Sequence, residues 1–175
     1  MASAAASIPE RERSSWSIGA RSETGFVRKA NEDRMGWVRT SFGDVYVVSD
    51  GMGGYKGGAL AAELTVSSLQ QSLAQLAPRS KSFEEKVRQA FLEANDAVYR
   101  RRDPNDPNTR EMGATAVALI IDGSRFMVAH VGDSRAYRWR WFPGLRRLTK
   151  DHTRVQKLID EGVVKEADAE SHPEA

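Results

Sequence analysis

The sequence predicts an α+β fold with mainly antiparallel strand pairing. Three observations carry this. β-forming runs come first, two helical segments sit together in the middle, and β-forming runs return after them. Each helical segment has one apolar face, enough to cover one side of a sheet. The central strands are apolar on both sides, so a second layer is expected on the other face.

Residues 1–14 (MASAAASIPERERS) are small, polar and charged, and read as a frayed tail. Residues 15–175 read as one domain. Trp16, Ile18 and Ala20 alternate with polar neighbours, the pattern of a short first strand. Arg34 to Thr40 is a second, weaker strand. Val45 to Ser49 is nearly continuous in apolar and aromatic character. From Ala59, Leu60, Leu64, Leu69, Leu73 and Leu76 form an imperfect helical stripe, which Pro78 ends. Ser82-Phe83-Glu84-Glu85 has the form of a capping box. Phe83, Val87, Ala90, Phe91, Ala94 and Val98 continue at helical spacing, and the helix is predicted to stop near Arg102, before DPNDPNT.

Thr115 to Ile121 and Arg125 to Val131 flank Asp122-Gly123-Ser124, a hairpin signal. Ala136 to Trp141 and Leu145 to Leu148 form a second hairpin across Phe142-Pro143-Gly144. A short helix over Val155 to Glu161 closes on Gly162. The last segment, KEADAESHPEA, has no pattern that finishes a core.

Composition narrows the function classes. The 175 residues are enough for a proper core. With 26 basic and 24 acidic residues the net charge is only +2, which argues against a chain-wide nucleic-acid or membrane footprint. The absence of cysteine excludes disulfides and thiolate metal sites. No segment reaches the ~18 apolar residues of a membrane span, and the N-terminus has no signal-peptide core. A soluble, cytoplasmic monomer is expected, with neither nucleic acid nor membrane as partner.

Three polar clusters stand at strand ends. Arg28-Lys29-Ala30-Asn31-Glu32-Asp33 precedes one strand. Asp50-Gly51-Met52-Gly53-Gly54 follows VYVVS, and Gly132-Asp133-Ser134-Arg135 follows the strand ending at Val131. Taken singly, each has a plain reading: a turn at Asp50-Gly51, a solvated loop at Glu32-Asp33, a turn with a surface ion pair at Gly132-Asp133. Taken together, they bring carboxylates to one rim of a sheet. Hard cations such as Mg²⁺ and Mn²⁺ take oxygen ligands and keep several waters, so a few carboxylates suffice. Gly51, without a Cβ, lets its carbonyl come close to a metal. Arg28 offers a planar fork for phosphate. The combination suggests metal-assisted phosphoester hydrolysis.

The glycines do not form a nucleotide loop, since G-x-G-x-x-G from Gly51 would need glycine where Lys56 stands. His130, in an apolar strand, reads as a packed residue rather than a ligand, and His152 as a loop hydrogen-bonder, with a catalytic acid as the alternative. Arg138, Arg140, Arg146, Arg147, Lys150 and Arg154 make a basic region, either solvated or facing an acidic or phosphorylated partner.

GARSETGFVRKANEDRMG, VYVVSDGMGGYKGG, GATAVALIIDGSRFMVAHVGDSRAYRW and LTKDHTRVQKLIDEG together resemble the metal-dependent protein phosphatases (PPM type, protein phosphatase 2C) in their bacterial form. The resemblance implies an α-β-β-α sandwich with a dinuclear Mn²⁺ or Mg²⁺ centre between the sheets. It implies hydrolysis of phosphoserine and phosphothreonine in proteins, with a Ser/Thr kinase or its substrates as partners. By motif, Asp50 bridges the metals, and the Gly51 carbonyl and Glu32 bind one of them. Asp33 holds metal-bound water, Arg28 grips the substrate phosphate, and Asp133 serves a weaker third metal. Met52 stands where some members have a histidine, leaving the leaving-group acid unassigned. The family continues past the point matched by Ala175 with two further metal-ligand aspartates. The expectation is therefore an incomplete sandwich, little or no activity from residues 1–175 alone, and a tendency to aggregate. A non-catalytic phosphoprotein-binding module is the alternative.

Overall fold

A computed structural model describes residues 17–26, 28, 30–53, 56–76 and 82–173. Its centre is a four-stranded antiparallel sheet built by β1 (Arg34–Arg39), β2 (Asp44–Ser49), β5 (Ala116–Asp122) and β6 (Arg125–Val131), in the order β1-β2-β5-β6. β3 (Gly51–Met52) and β4 (Gly113–Ala114) form a two-residue ladder beside it. β7 (Tyr137–Arg140) and β8 (Gly144–Arg147) form a separate hairpin.

Helices α1 (Gly57–Ala74) and α2 (Phe83–Arg100) lie on one face of the large sheet. The alternation of side chains decides which residues they cover. Val45 and Val47 of β2 and Ala116, Ala118 and Ile120 of β5 are buried under Val66, Leu69 and Leu73 of α1 and Val87, Ala90 and Ala94 of α2. Fully burying a leucine such as Leu69 contributes roughly 2 kcal/mol. Nearer its N-terminus α1 buries Ala61, Ala62 and Thr65, while Leu60 and Leu64 pack half-buried beside Ala61, Val98 and Met112. Small residues face inward there because that end of the helix runs close to the β3–β4 ladder.

On the opposite face of the large sheet the register places Trp37, Tyr46, Val48, Leu119, Ile121, Phe126 and Val128. Val48 is 51% exposed and Phe126 45%. The β7–β8 hairpin reaches only a corner of this face, where Leu119, Ile121, Phe126, Tyr137, Arg138 and Leu148 line a cavity of about 220 Å³. Among the described residues this hairpin is the whole of the expected second layer.

The elements otherwise match the sequence within a few residues, with two corrections. The residues of the predicted first strand from Ser17 onward form no strand, and Trp16 lies outside the described residues, as do the N-terminal tail and Pro78. Alternation alone does not make a strand; a neighbour must supply hydrogen bonds, and Ser17 to Ala20 stand exposed with no strand partner among the described residues. Ser82 is the N-cap of α2, but its side chain makes no capping bond. The Glu85 carboxylate instead accepts two hydrogen bonds from Arg88, at 3.0 and 2.6 Å. Both β5–β6 and β7–β8 turn where predicted, and α3 (Arg154–Asp160) is capped by Thr153 Oγ1, which accepts the Gln156 N–H. A 3₁₀ helix (Glu166–Ser171) follows it.

Candidate metal centre

The topology alone brings the acidic clusters to one rim. β2 runs antiparallel to both β1 and β5, and β5 antiparallel to β6. The start of β1, the end of β2, the start of β5 and the end of β6 therefore share one edge of the sheet. Glu32 and Asp33 precede β1, Asp50 follows β2, Thr115 precedes β5 and Asp133 follows β6.

Asp50 sits where the chain leaves the large sheet for the β3–β4 ladder. Its backbone is held on both sides by Thr115: the Asp50 N–H donates to Thr115 Oγ1 at 3.0 Å, and the Thr115 N–H donates to the Asp50 carbonyl at 2.8 Å. Ser49, fully buried, donates its hydroxyl to the Thr115 carbonyl at 2.7 Å. Asp33 is set by an Asx turn in which its N–H donates to Asn31 Oδ1 at 2.9 Å.

Gly51 faces the first turn of α1 so closely that a Cβ there would overlap the Gly58 carbonyl. A Cβ on Gly58 would in turn stand 2.6 Å from Glu32 Oε1. The two glycines thus let a helix, a strand end and a carboxylate converge where any side chain would fill the space.

The electrostatics of this corner are unresolved in the sense that matters chemically. Glu32 Oε1 and Asp50 Oδ1 are both buried and have no hydrogen-bond partner among the described residues. Among the described residues the Arg28 guanidinium offers the nearby positive charge, with Nη1 at 3.7 Å from Glu32 Oε2 and 3.6 Å from Asp50 Oδ1. These are ion-pair distances, too long for hydrogen bonds. Burial raises the Asp50 pKa above its ordinary value, and the facing Asp33 carboxylate raises it further. Arg28 pulls it back, and Asp133 adds the smallest push.

Buried carboxylate oxygens without donors are costly unless a cation satisfies them. The donor chemistry fits a hard divalent cation: the unpartnered atoms of this corner are carboxylate oxygens, and no nitrogen or sulfur ligand is among them. Among the described residues no three carboxylates or imidazoles stand close enough to form a closed cage.

The structure therefore assembles Arg28, Glu32, Asp33, Asp50 and Gly51 at one corner, with Asp133 beyond them on the same rim. Met52 projects outward, 61% exposed, and offers no acid or base. Sequence reasoning did not single out Thr115, Gly58, Ser49, Ser134 or Asn31. Their signals were present but mute: a threonine beginning a strand, a second glycine pair after Lys56, and short polar residues beside each acid.

The 149–152 segment braces the Asp133 loop. The His152 N–H donates to the Gly132 carbonyl at 3.0 Å, and Asp151 pairs with Arg135 at 2.6 Å and Arg147 at 3.0 Å. The ion pair with Asp151 raises the Arg135 pKa. The His130 ring lies 4.7 Å from that of His152, centroid to centroid. Burial, and then His152, lower the His130 pKa.

Comparison with known proteins gives the same answer. Residues 27–157 match the family model described as Protein phosphatase 2C. The chain is 34% identical over 155 residues to the serine/threonine protein phosphatase PstP of Mycobacterium tuberculosis, covering 89% of this chain and 29% of that protein. It is 31% identical over 156 residues to the serine/threonine phosphatase stp of Listeria monocytogenes, covering 87% of this chain and 61% of the relative. The crystal structure of the PstP catalytic domain in complex with two manganese ions superposes with a TM-score of 0.69 at 32% identity, covering 85% of this chain and 61% of that one. The chain thus spans less than two thirds of the length of these relatives. The rim of acids, the glycine-made corner and the matched stretch lead to one conclusion: the chain belongs to the protein phosphatase 2C family.

Proposed function

We propose that this chain acts in the metal-dependent hydrolysis of phosphoserine and phosphothreonine esters in proteins. The observation that carries the reading is the pair of buried, unpartnered oxygens, Glu32 Oε1 and Asp50 Oδ1, with one arginine beside both. Asp50, Glu32 and the Gly51 carbonyl would hold Mn²⁺ or Mg²⁺, with Asp33 positioned to accept hydrogen bonds from water around it and Asp133 to serve a third, weaker cation. Two such cations supply Lewis-acid charge to a phosphoryl group and lower the pKa of a water molecule.

The chain's own residues do the rest. Arg28 is more than half exposed, so a phosphate can reach its guanidinium and take two of its N–H groups. With Asp50 and Glu32 neutralised by cations, Arg28 loses its present partners and is free for the substrate. Thr115 and Gly58 keep the carboxylates in place. Hydrolysis adds water across the P–O bond, yielding serine or threonine and inorganic phosphate.

The partners of this reading are phosphorylated proteins, including a Ser/Thr kinase or its substrates, met by a monomer in the cytoplasm. No helix among the described residues is long and apolar enough to cross a membrane. A second reading, a phosphoprotein-binding module without turnover, is favoured by one observation: among the described residues no three carboxylates or imidazoles form a group that could hold a metal by themselves.

Titration of the chain with Mn²⁺, followed by calorimetry, tests the metal site. Binding that disappears in Asp50→Asn and Glu32→Gln is expected; equal binding by these variants ends the proposal. Release of phosphate from a phosphothreonine peptide, dependent on Mn²⁺ and weakened by Arg28→Ala, separates the enzyme from the module. Tight, metal-dependent peptide binding without phosphate release selects the module.

A further inference from the structure

The β7–β8 hairpin carries features that hydrolysis does not use. Its tip presents Trp141 at 92% exposure and Phe142 at 85%, with Trp139 and Leu145 also exposed on one face. Exposed neighbouring aromatics of this size mark contact surfaces. The register of β7 and β8 puts Arg138 opposite Arg146 on the other face, and Arg140 two residues further along β7.

The charge is equally one-sided. Residues 134–150, SRAYRWRWFPGLRRLTK, contain six lysines and arginines and no acid. With a chain total of +2 and +6 in this stretch, the other residues sum to −4. Arg135 and Arg147 are held by Asp151, and Lys150 by Asp160. Arg138, Arg140 and Arg146 have no ion pair among the described residues. The base is fixed by the Leu148 N–H to the Ala136 carbonyl at 2.8 Å and the Ala136 N–H to Thr149 Oγ1 at 3.1 Å. The tip is thus a convex apolar point on a braced, cationic stem.

We propose that this hairpin docks the protein on an anionic phospholipid surface, with Trp141 and Phe142 entering the headgroup–acyl boundary. Three considerations favour a bilayer. A convex tip needs no complementary cavity in a fluid interface. Tryptophan is at home at headgroup depth. Arginine stems behind the tip reach the lipid phosphates while their alkyl parts follow the aromatics down. The chain-wide charge of +2 hides this patch, which is why the expectation of no membrane contact followed from composition. The contact is peripheral and requires no membrane-spanning helix. It would concentrate the protein near membrane-associated substrates, whatever reaction it performs.

The test uses the whole chain and two vesicle preparations, pure phosphatidylcholine and equimolar phosphatidylcholine with phosphatidylglycerol, in a sedimentation assay. Binding to the anionic vesicles alone, weakened by added salt, is expected. Arg138→Gln/Arg140→Gln/Arg146→Gln should lower the partition coefficient roughly a hundred-fold, at about five-fold per arginine. Trp141→Ser/Phe142→Ser should abolish sedimentation and the accompanying blue shift of tryptophan emission. Apart from half-buried Arg138, both variants alter exposed hairpin positions, and circular dichroism confirms that each is folded. Val48→Ser, on the same sheet face but away from the hairpin, should leave binding unchanged. Three outcomes overturn the proposal: no preference for anionic vesicles, binding lost in Val48→Ser but kept in the tip variant, or binding to polyglutamate, lost in the arginine variant, with vesicles ignored. The last would assign the hairpin to an acidic polypeptide.

Discussion

The Thr115 hydroxyl accepts the backbone N–H of Asp50 at 3.0 Å, and the same oxygen lies 2.6 Å from Ser134 Oγ. One buried side chain therefore ties the Asp50 corner to the loop that carries Asp133. Thr115→Val keeps the shape and removes the acceptor, leaving the Asp50 N–H without a partner. A loss of about 1–3 kcal/mol is expected, together with weaker Mn²⁺ binding, whereas Thr115→Ser should retain both. Urea denaturation and Mn²⁺ titration measure the two effects. A valine variant equal to the parent in both would remove Thr115 from the site.

Gly58 is predicted to be as sensitive as any of the acids. A methyl group there meets Glu32 Oε1 at 2.6 Å and the Gly51 carbonyl carbon at 3.0 Å. The backbone atom cannot swing aside, so the carboxylate or the helix must move. Gly58→Ala should cost roughly 1–3 kcal/mol, as over-packing does, and should abolish Mn²⁺-induced stabilisation. Retention of a normal Mn²⁺-dependent rise in Tm would show that the glycine is mere spacing.

Much of this was legible in the sequence, for identifiable reasons. The hydrophobic periods gave α1, α2 and the β5–β6 hairpin because those patterns are long and their turn residues strong. Asp50, Glu32, Asp33 and Asp133 stood out because acids at several strand ends are unusual together, and the antiparallel order of the strands brings them to one rim. What escaped notice depended on contacts between distant segments. Thr115 acts 65 residues from Asp50, and nothing local distinguishes it from any strand threonine. Gly58 matters only because Glu32 arrives beside it. The predicted strand around Ile18 failed for the same reason in reverse: its pattern was right, but no described neighbour pairs with it.

Asp50 should oppose folding of the metal-free chain. Its pKa is raised, chiefly by burial, so the folded state prefers the protonated acid. The stability this contributes is fully present below the ordinary pKa of 3.8 and is lost as pH rises through the raised value. At neutral pH the ionised group is a burden that a cation relieves. Asp50→Asn should therefore leave the metal-free chain at least as stable as the parent, while removing its gain in Tm on adding Mn²⁺. Thermal melts with and without Mn²⁺ decide it. A variant that is less stable without metal would mean that Asp50 serves the fold first.

His130 makes the opposite prediction on the pH axis. Burial and the neighbouring His152 ring lower its pKa, and Arg147 adds to this, while Asp151 opposes it. The folded chain thus prefers the neutral imidazole. A group with a depressed pKa of this kind contributes stability that is present above its ordinary value of 6.5 and is lost as pH falls through the folded one. In the neutral ring Nε2 accepts the Lys150 N–H at 3.5 Å, so protonation there would turn that acceptor into a second donor facing a donor. The chain should accordingly lose stability between about pH 7 and 5, the range in which histidine titrates. His130→Leu, which cannot titrate, should flatten that decline even if it shifts the baseline. The check is the urea midpoint measured across this range for both proteins. Parallel curves would place the pH sensitivity elsewhere, with the braced His152 and Asp151 segment as the next place to look.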